Sequence, residues 1–471
     1  MSGRIRLNAV TVNGPTVSPG LWAHPDERAH EYTSLGHWRS LARTLEDARF
    51  DAIFFADMLG LYDVHQGSAA PALRQAIQVP LNDPTYLIPA MAAVTEHLGF
   101  AVTVSTTYDQ PYPVARRLST LDVLTGGRVG WNVVTSNLAS AARAHGYADE
   151  VPAQERYDRG DDFLAAAYKL WESSWEDDAV VLDKPGRVHS DPAKVHDVDH
   201  VGPWFQVPGP HLIGPTPQRT PFLFQAGSSE RGREFAATHA EAIFLNTPTA
   251  KATKFIVDDI RQRAERHGRD PASVLFFPKL TPIAAASDEE ARERYADFLR
   301  YSSTEGIFTL LGAWTGLDFA EVGEDRLLAF VERADQRGLI ESLRRTRPGG
   351  GWSVDELASV FAFGTSALTI GGPSAIADEI EQYVEATGVD GFNIASIIQP
   401  GTIAAFAEHV VPELQRRGLV QRDYAPGTLR EKLGGDGPHL RDDHPGRAIA
   451  QDVAWRRERS DAATAARGAG R

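Results

Sequence analysis

Hydrophobic residues recur along this chain in two alternating patterns: short unbroken apolar runs, and longer stretches where they return every three or four positions. The alternation is clearest from Gly99 to Asn137, GFAVTVSTTYDQPYPVARRLSTLDVLTGGRVGWNVVTSN. It predicts a strand, a proline-punctuated loop, an amphipathic helix, a Gly-Gly turn and a second strand, which is one β-α-β unit. Both strands are apolar on both sides, as parallel strands covered on two faces must be. Thr103, Asn132, Thr135, Ser136 and Asn137 fall at the strand ends where parallel folds keep ligands, so they are read as bordering a site.

The same rhythm runs through most of the sequence. Strands are predicted at 4–11, 51–57, 221–225, 241–245, 273–283 and 391–397, with helices at 35–50, 84–97, 155–175, from 228, at 249–267, 373–387 and 402–417. With the two strands of the opening unit, eight strands each precede a helix, the count of a (β/α)8 TIM barrel. Such a barrel needs about 250 residues, so the surplus in 471 residues must lie elsewhere. Residues 176–218 have loop or hairpin composition and 288–359 are helical with Gly and Pro breaks. Both read as insertions in a single barrel spanning 1–433, with 434–471 a disordered C-terminal tail.

Composition narrows the chemistry. A formal net charge of -15 argues against nucleic acid or an anionic membrane as partner and leaves small molecules. No run is long enough for a membrane span and the N-terminus lacks an apolar signal core, so a soluble, cytoplasmic protein is expected. The absence of cysteine removes thiol nucleophiles and thiolate ligands. His196, Asp199 and His200 lack the spacing of a metal site, and no metal is expected. No G-x-S-x-G elbow is present.

The sharpest local constellation is Gln225-Ala226-Gly227-Ser228-Ser229-Glu230-Arg231-Gly232-Arg233, which joins a buried strand to a helix. Helix N-terminal N–H groups, two hydroxyls and an arginine converge there as they would around a phosphate. An ordinary Ser N-cap with a solvated Arg is the alternative, and G-x-G-x-x-G is absent. Asp57, ending a buried strand, reads as a general base, a ligand acceptor or a cap. Tyr157 reads as a ligand hydroxyl or a packing residue, and the aromatic segment 308–319 as a substrate cover or core helix.

FFAD at 54–57, STTYDQPYPVARRLSTLDVLTGGRVGWNVVTS at 105–136, ERYDR at 155–159, PQRTPFLFQAGSSERGREFAATHAEAIF at 217–244 and AWTG at 313–316 together resemble the nitrilotriacetate and dibenzothiophene-sulfone monooxygenase family. These are bacterial-luciferase-like, FMN-dependent two-component enzymes, and the likeness runs from residue 4 to about 433. The resemblance implies a TIM barrel that takes reduced FMN (FMNH2) from a separate NAD(P)H:flavin reductase. It would insert one atom of O2 into a small organic substrate by way of a flavin peroxide, as a homodimer or homotetramer. It also implies cofactor contacts from Asp57, Thr103, Ser136 and Asn137, with Ala153 and Tyr157 nearby and Gly227, Ser228 and Ser229 at the phosphate.

Two positions depart from relatives: Ala153 stands where many carry His, and Asn137 where alkane monooxygenases carry His. Substrate-side and catalytic candidates are Asn137, Asn13 and Trp314, with His65 and Arg74 beside them. A deazaflavin-dependent oxidoreductase and a non-catalytic flavin-binding protein are the rival readings.

Overall fold

Parallel strands whose inward and outward side chains are all apolar can close on themselves only if the inward set fills a tube, and that is how this chain folds. The computed structural model describes residues 4–15, 18–321 and 353–451. Its strands are β1 (Arg6–Thr11), β2 (Ala52–Phe55), β3 (Gly99–Ser105), β4 (Val129–Val134), the hairpin strands β5 (Val180–Asp183), β6 (Val188–Ser190), β7 (His200–Val201) and β8 (Gln206–Val207), then β9 (Phe222–Gln225), β10 (Ala242–Leu245), β11 (Leu275–Ala284), β12 (Ala367–Gly371) and β13 (Gly391–Ala395). The eight strands anticipated from periodicity pair in parallel in the ring order β1-β2-β3-β4-β9-β10-β11-β13, and β13 closes on β1 with Asn393 opposite Asn8. The fold is a closed (β/α)8 barrel.

Period two sorts the side chains. Ala52, Phe54, Ala101, Phe222, Phe224, Ala242, Leu275 and Phe277 fill the barrel, while their neighbours Ile53, Phe55, Phe100, Val102, Leu223, Ile243 and Phe276 pack outward under the helices. Gly130 is required by close approach, because a Cβ there would stand 2.8 Å from Phe224.

Three features differ from the sequence reading. A ninth strand, β12, extends the sheet by pairing with the far half of β11, Leu280 opposite Ala367. The helix expected over 84–97 is only a turn (Pro84–Leu87) and a short helix, Ile88–Ala92. The stretch after 433 is ordered as far as 451: Leu440 is buried, helix Pro445–Gln451 packs on helix Ala153–Ser173, and Gly446 lets the backbone approach the Tyr168 ring. Buried contacts hold this stretch, which composition read as tail. The segment 176–218 forms the two antiparallel hairpins. Of the second insertion, helices Asp288–Arg300, Thr304–Thr315 and Val354–Ser359 are described, while Gly338 and the Pro348–Gly351 break lie outside the described residues, as do 452–471.

The end of the barrel opposite the strand carboxyl ends is plugged by helix Leu429–Gly434, whose Leu429 and Leu433 join the interior cluster. Buried Arg430 sits beside them, donating to both carboxylate oxygens of Glu241 at 2.7 and 3.0 Å and to the carbonyls of Thr220 and Pro221 at 2.9 and 3.1 Å. Among the described residues no helix is long and apolar enough to cross a membrane.

Candidate functional site

Because all eight barrel strands run the same way, the polar residues that end them meet at one mouth. The ends of β2, β4 and β9 open there into a cavity of about 460 Å³. Asp57, Ser136, Asn137, Ala153, Tyr157, Gly227, Ser228, Ser229 and Trp314, all singled out from sequence, line it.

The phosphate-like end is built by the turn after β9. Ser229 caps helix Glu230–His239, its Oγ accepting the Gly232 N–H at 3.1 Å, so the remaining first-turn N–H groups face the cavity end of the helix. Tyr157, on helix Ala153–Ser173, is 8% exposed and its hydroxyl has no partner among the described residues. That hydroxyl reaches the turn only because residues 227 and 232 are glycine: a Cβ would stand 2.6 Å from it at Gly227 and 2.7 Å at Gly232.

The arginine expected beside the anion could be Arg231 or Arg233, and both are engaged elsewhere. Arg231 pairs with Asp158 and Asp161 and lies 5.4 Å over the Tyr157 ring, so it holds the tyrosine in place. Arg233 pairs with Asp259 at 2.6 Å and donates to the Ser228 carbonyl at 2.7 Å. The cation at the cavity is instead Arg156. It is 5% exposed, one Nη binds Glu150 and the Val151 carbonyl, and its Nε is buried with no acceptor. An orphaned guanidinium N–H, a free phenol and a helix N-terminus around a glycine cradle fit a phosphate monoester such as that of FMN. Arg156 stands inside the quoted ERYDR motif, but the sequence does not say which of that motif's arginines turns inward.

At the opposite end, Asp57 accepts the Met58 N–H at 2.9 Å, and burial, reinforced by the nearby Asp83 carboxylate, pushes its carboxyl up to about 7. Near neutral pH it offers both a donor and an acceptor. The folded chain keeps a proton there that the unfolded chain releases above its ordinary value of 3.8. Stability contributed below pH 4 is therefore lost as pH rises to 7, by on the order of 3 kcal/mol. Asp57→Asn should flatten that loss and raise stability at pH 8, as urea titrations across pH 4–8 would record; an unchanged slope would refute the assignment. Ser136 has φ +45°, a left-handed conformation a serine rarely takes, and its Oγ donates to Ser105 at 3.0 Å.

Several candidates belong to the scaffold and not to the cavity walls. Thr103 donates to the Phe55 carbonyl at 2.7 Å and accepts from Asn132 at 2.8 Å, linking three strands inside the barrel. Asn13 is buried and donates to the Asp83 carbonyl at 3.1 Å. His65 pairs with Asp318 at 3.3 Å and Arg74 with Glu305 at 3.0 Å, so both anchor the segment carrying Trp314. His196 and His200 are paired with Glu176 and Asp162, each at 3.0 Å. Among the described residues no group of three His, Asp or Glu side chains is placed to hold a metal.

A second cavity, of about 230 Å³, occupies the centre of the mouth above the ends of β1, β10, β11 and β13. Its walls are mostly apolar, with Val10, Val12, Ala56, Phe244 and Phe363, and one side chain lining it, Lys279, is charged. Met58, Tyr62 and Trp314 line both cavities and so form the wall between them.

Residues 12–391 match the family described as Luciferase-like monooxygenase. A long-chain alkane monooxygenase of Geobacillus thermodenitrificans (strain NG80-2) is 46% identical over 446 residues, 94% of this chain and 97% of its own length. A dimethyl-sulfide monooxygenase of Hyphomicrobium sulfonivorans is 46% identical over 437 residues, 92% of this chain and 91% of its own. The crystal structure of a riboflavin lyase with modified FMN and riboflavin superposes with a TM-score of 0.84 at 36% identity, covering 95% of this chain and 99% of that one.

Proposed function

This chain belongs to the luciferase-like monooxygenase family of flavin-dependent enzymes, and from its site we propose that it is the oxygenating component of a two-component system. It takes reduced FMN from a separate NAD(P)H:flavin reductase and transfers one atom of O2 to a small organic substrate. The observation that carries this reading is the phosphate cradle: the helix N-terminus at Ser228–Ser229, Tyr157 with its free hydroxyl, and Arg156, whose Nε has no acceptor, line one cavity. When bound, FMN supplies the activation of O2, which no side chain can perform.

The chain's own residues bind, orient and exclude water. Arg156, Tyr157 and the Ser228–Ser229 turn hold the phosphate. Asp57 and Ser136 lie further along the same cavity and contact the ring or ribityl portion. Trp314 and Tyr62 separate that portion from the central cavity, where the substrate sits away from solvent.

Support comes from incubating the chain with FMN, NADH, O2 and a flavin reductase over a substrate library, with product mass as the readout. Turnover only when the reductase is added is expected, and flavin binding without any product would favour the non-catalytic reading. Binding of a deazaflavin in preference to FMN would favour the hydride-transfer reading. For the cradle itself, Tyr157→Phe should raise the FMN dissociation constant about fivefold, the ~1 kcal/mol of a single hydrogen bond, in a fluorescence titration. An unchanged constant would return Tyr157 to a packing role.

A further inference from the structure

Lys279 is the inward residue of β11 that follows Phe277, one step nearer the mouth in the period-two pattern. The inward positions before it, Leu275 and Phe277, are apolar core. At position 279 an ammonium takes their place, in a cavity whose other walls include Val10, Ala56, Phe244 and Phe363. Its Nζ lies 3.4 Å from the point where a Cβ on Gly364 would stand, and residue 364 is a glycine with φ +95°. A side chain at 364 would touch the ammonium at ordinary contact distance, and it is the positive φ that favours glycine there.

No hydrogen bond or ion pair satisfies Lys279 among the described residues. The Asp57 carboxyl lies in the neighbouring cavity and is not among the residues lining this one. Burial alone draws the amine down to about 8, so it is mostly protonated at pH 7. Lys279 is half-buried and opens onto the cavity, and an ammonium facing mostly apolar walls without a counter-charge is unfavourable. An apolar residue would fill the position at no such cost, so the charge is explained by something that binds there.

We propose that Lys279 is the substrate-recognition residue of the central cavity, and that the substrate is a small organic anion whose apolar body lies against the cavity walls while its single carboxylate or sulfonate pairs with the Lys279 ammonium. The volume agrees: about 230 Å³ is below the roughly 300–1,000 Å³ of pockets for drug-sized ligands. The proposal rests on the flavin reading of the adjoining cavity. An alkane and dimethyl sulfide, named for two relatives, carry no charge that such a lysine would recognise. This chain is therefore assigned a different substrate class from theirs.

The test compares hexanoate and hexanesulfonate with neutral hexanamide, by calorimetric titration of the wild-type chain with and without FMN. Both anions should bind at least tenfold more tightly than the amide. Lys279→Met, which keeps the length of the side chain and removes the charge, should erase that preference. Lys279→Arg should retain most of it, and FMN affinity should change less than twofold in both variants. An amide bound as well as the anions by the wild type, or an anion preference surviving in Lys279→Met, would overturn the proposal. A loss of FMN affinity in Lys279→Met as large as the loss of anion affinity would also overturn it, by assigning the ammonium to the flavin. If the wild type binds no FMN, the flavin reading falls separately, and the titrations without FMN still decide whether Lys279 selects anions.

Discussion

With Ser228 and Ser229 both replaced by Asp, the chain should fold as before and bind FMN at least a hundredfold more weakly. The fold should tolerate the change because Asp is as good an N-cap as the serine it replaces at Ser229, and negative charge at a helix N-terminus is favourable. The same charges meet the phosphate at contact distance. Two unit charges about 4 Å apart repel by about 4 kcal/mol at the effective dielectric of a protein surface. Riboflavin, which has no phosphate, should lose much less affinity. Fluorescence titrations with the two flavins and a thermal melt of the variant check all three statements. FMN affinity equal to that of the wild type would remove the phosphate from this turn.

The second large effect is on stability. Arg430→Met should lower the unfolding free energy by about 3–5 kcal/mol, the cost of breaking a buried ion pair from one side. Arg430 is 2% exposed and its bidentate partner Glu241 is 9% exposed, so the deletion strands a carboxylate that water cannot reach. Four backbone carbonyls, of Gln218, Thr220, Pro221 and Pro438, lose a donor as well. Adding Glu241→Gln should recover part of the loss, since the neutral amide oxygen can still accept the Leu223 N–H that Glu241 now accepts at 2.9 Å. Denaturant unfolding of the single and double variants measures both. A single variant within 1 kcal/mol of wild type would show that the clamp is dispensable.

The barrel was legible because its signals are local. Ile53 and Phe55 face outward and Phe54 inward whatever lies elsewhere in the chain, since successive strand residues alternate sides. Ser229 caps its helix through a bond to Gly232 only three residues away. The strand missed, β12, has mixed exposure and pairs only with the far half of β11, so nothing in its own five residues marks it as sheet. The first part of the expected tail differs for a related reason: 435–451 is polar in composition, and what orders it is the surface of helix Ala153–Ser173 and the His444 contact to the His239 carbonyl at 2.9 Å.

By itself, then, the sequence determined the alternation of strands and helices, the polar strand ends and the helix start at Ser229, all consequences of backbone periodicity and capping within a few residues. The tertiary structure decided which charges are spent and which are free. Arg231 and Arg233 are turned to Asp158, Asp161 and Asp259, while Arg156, paired with Glu150, lines the cavity and Lys279 stands without a counter-charge among the described residues. A side chain's partner is set by closure of the barrel, which brings residues dozens to hundreds of positions apart to one mouth, and no local pattern records that meeting.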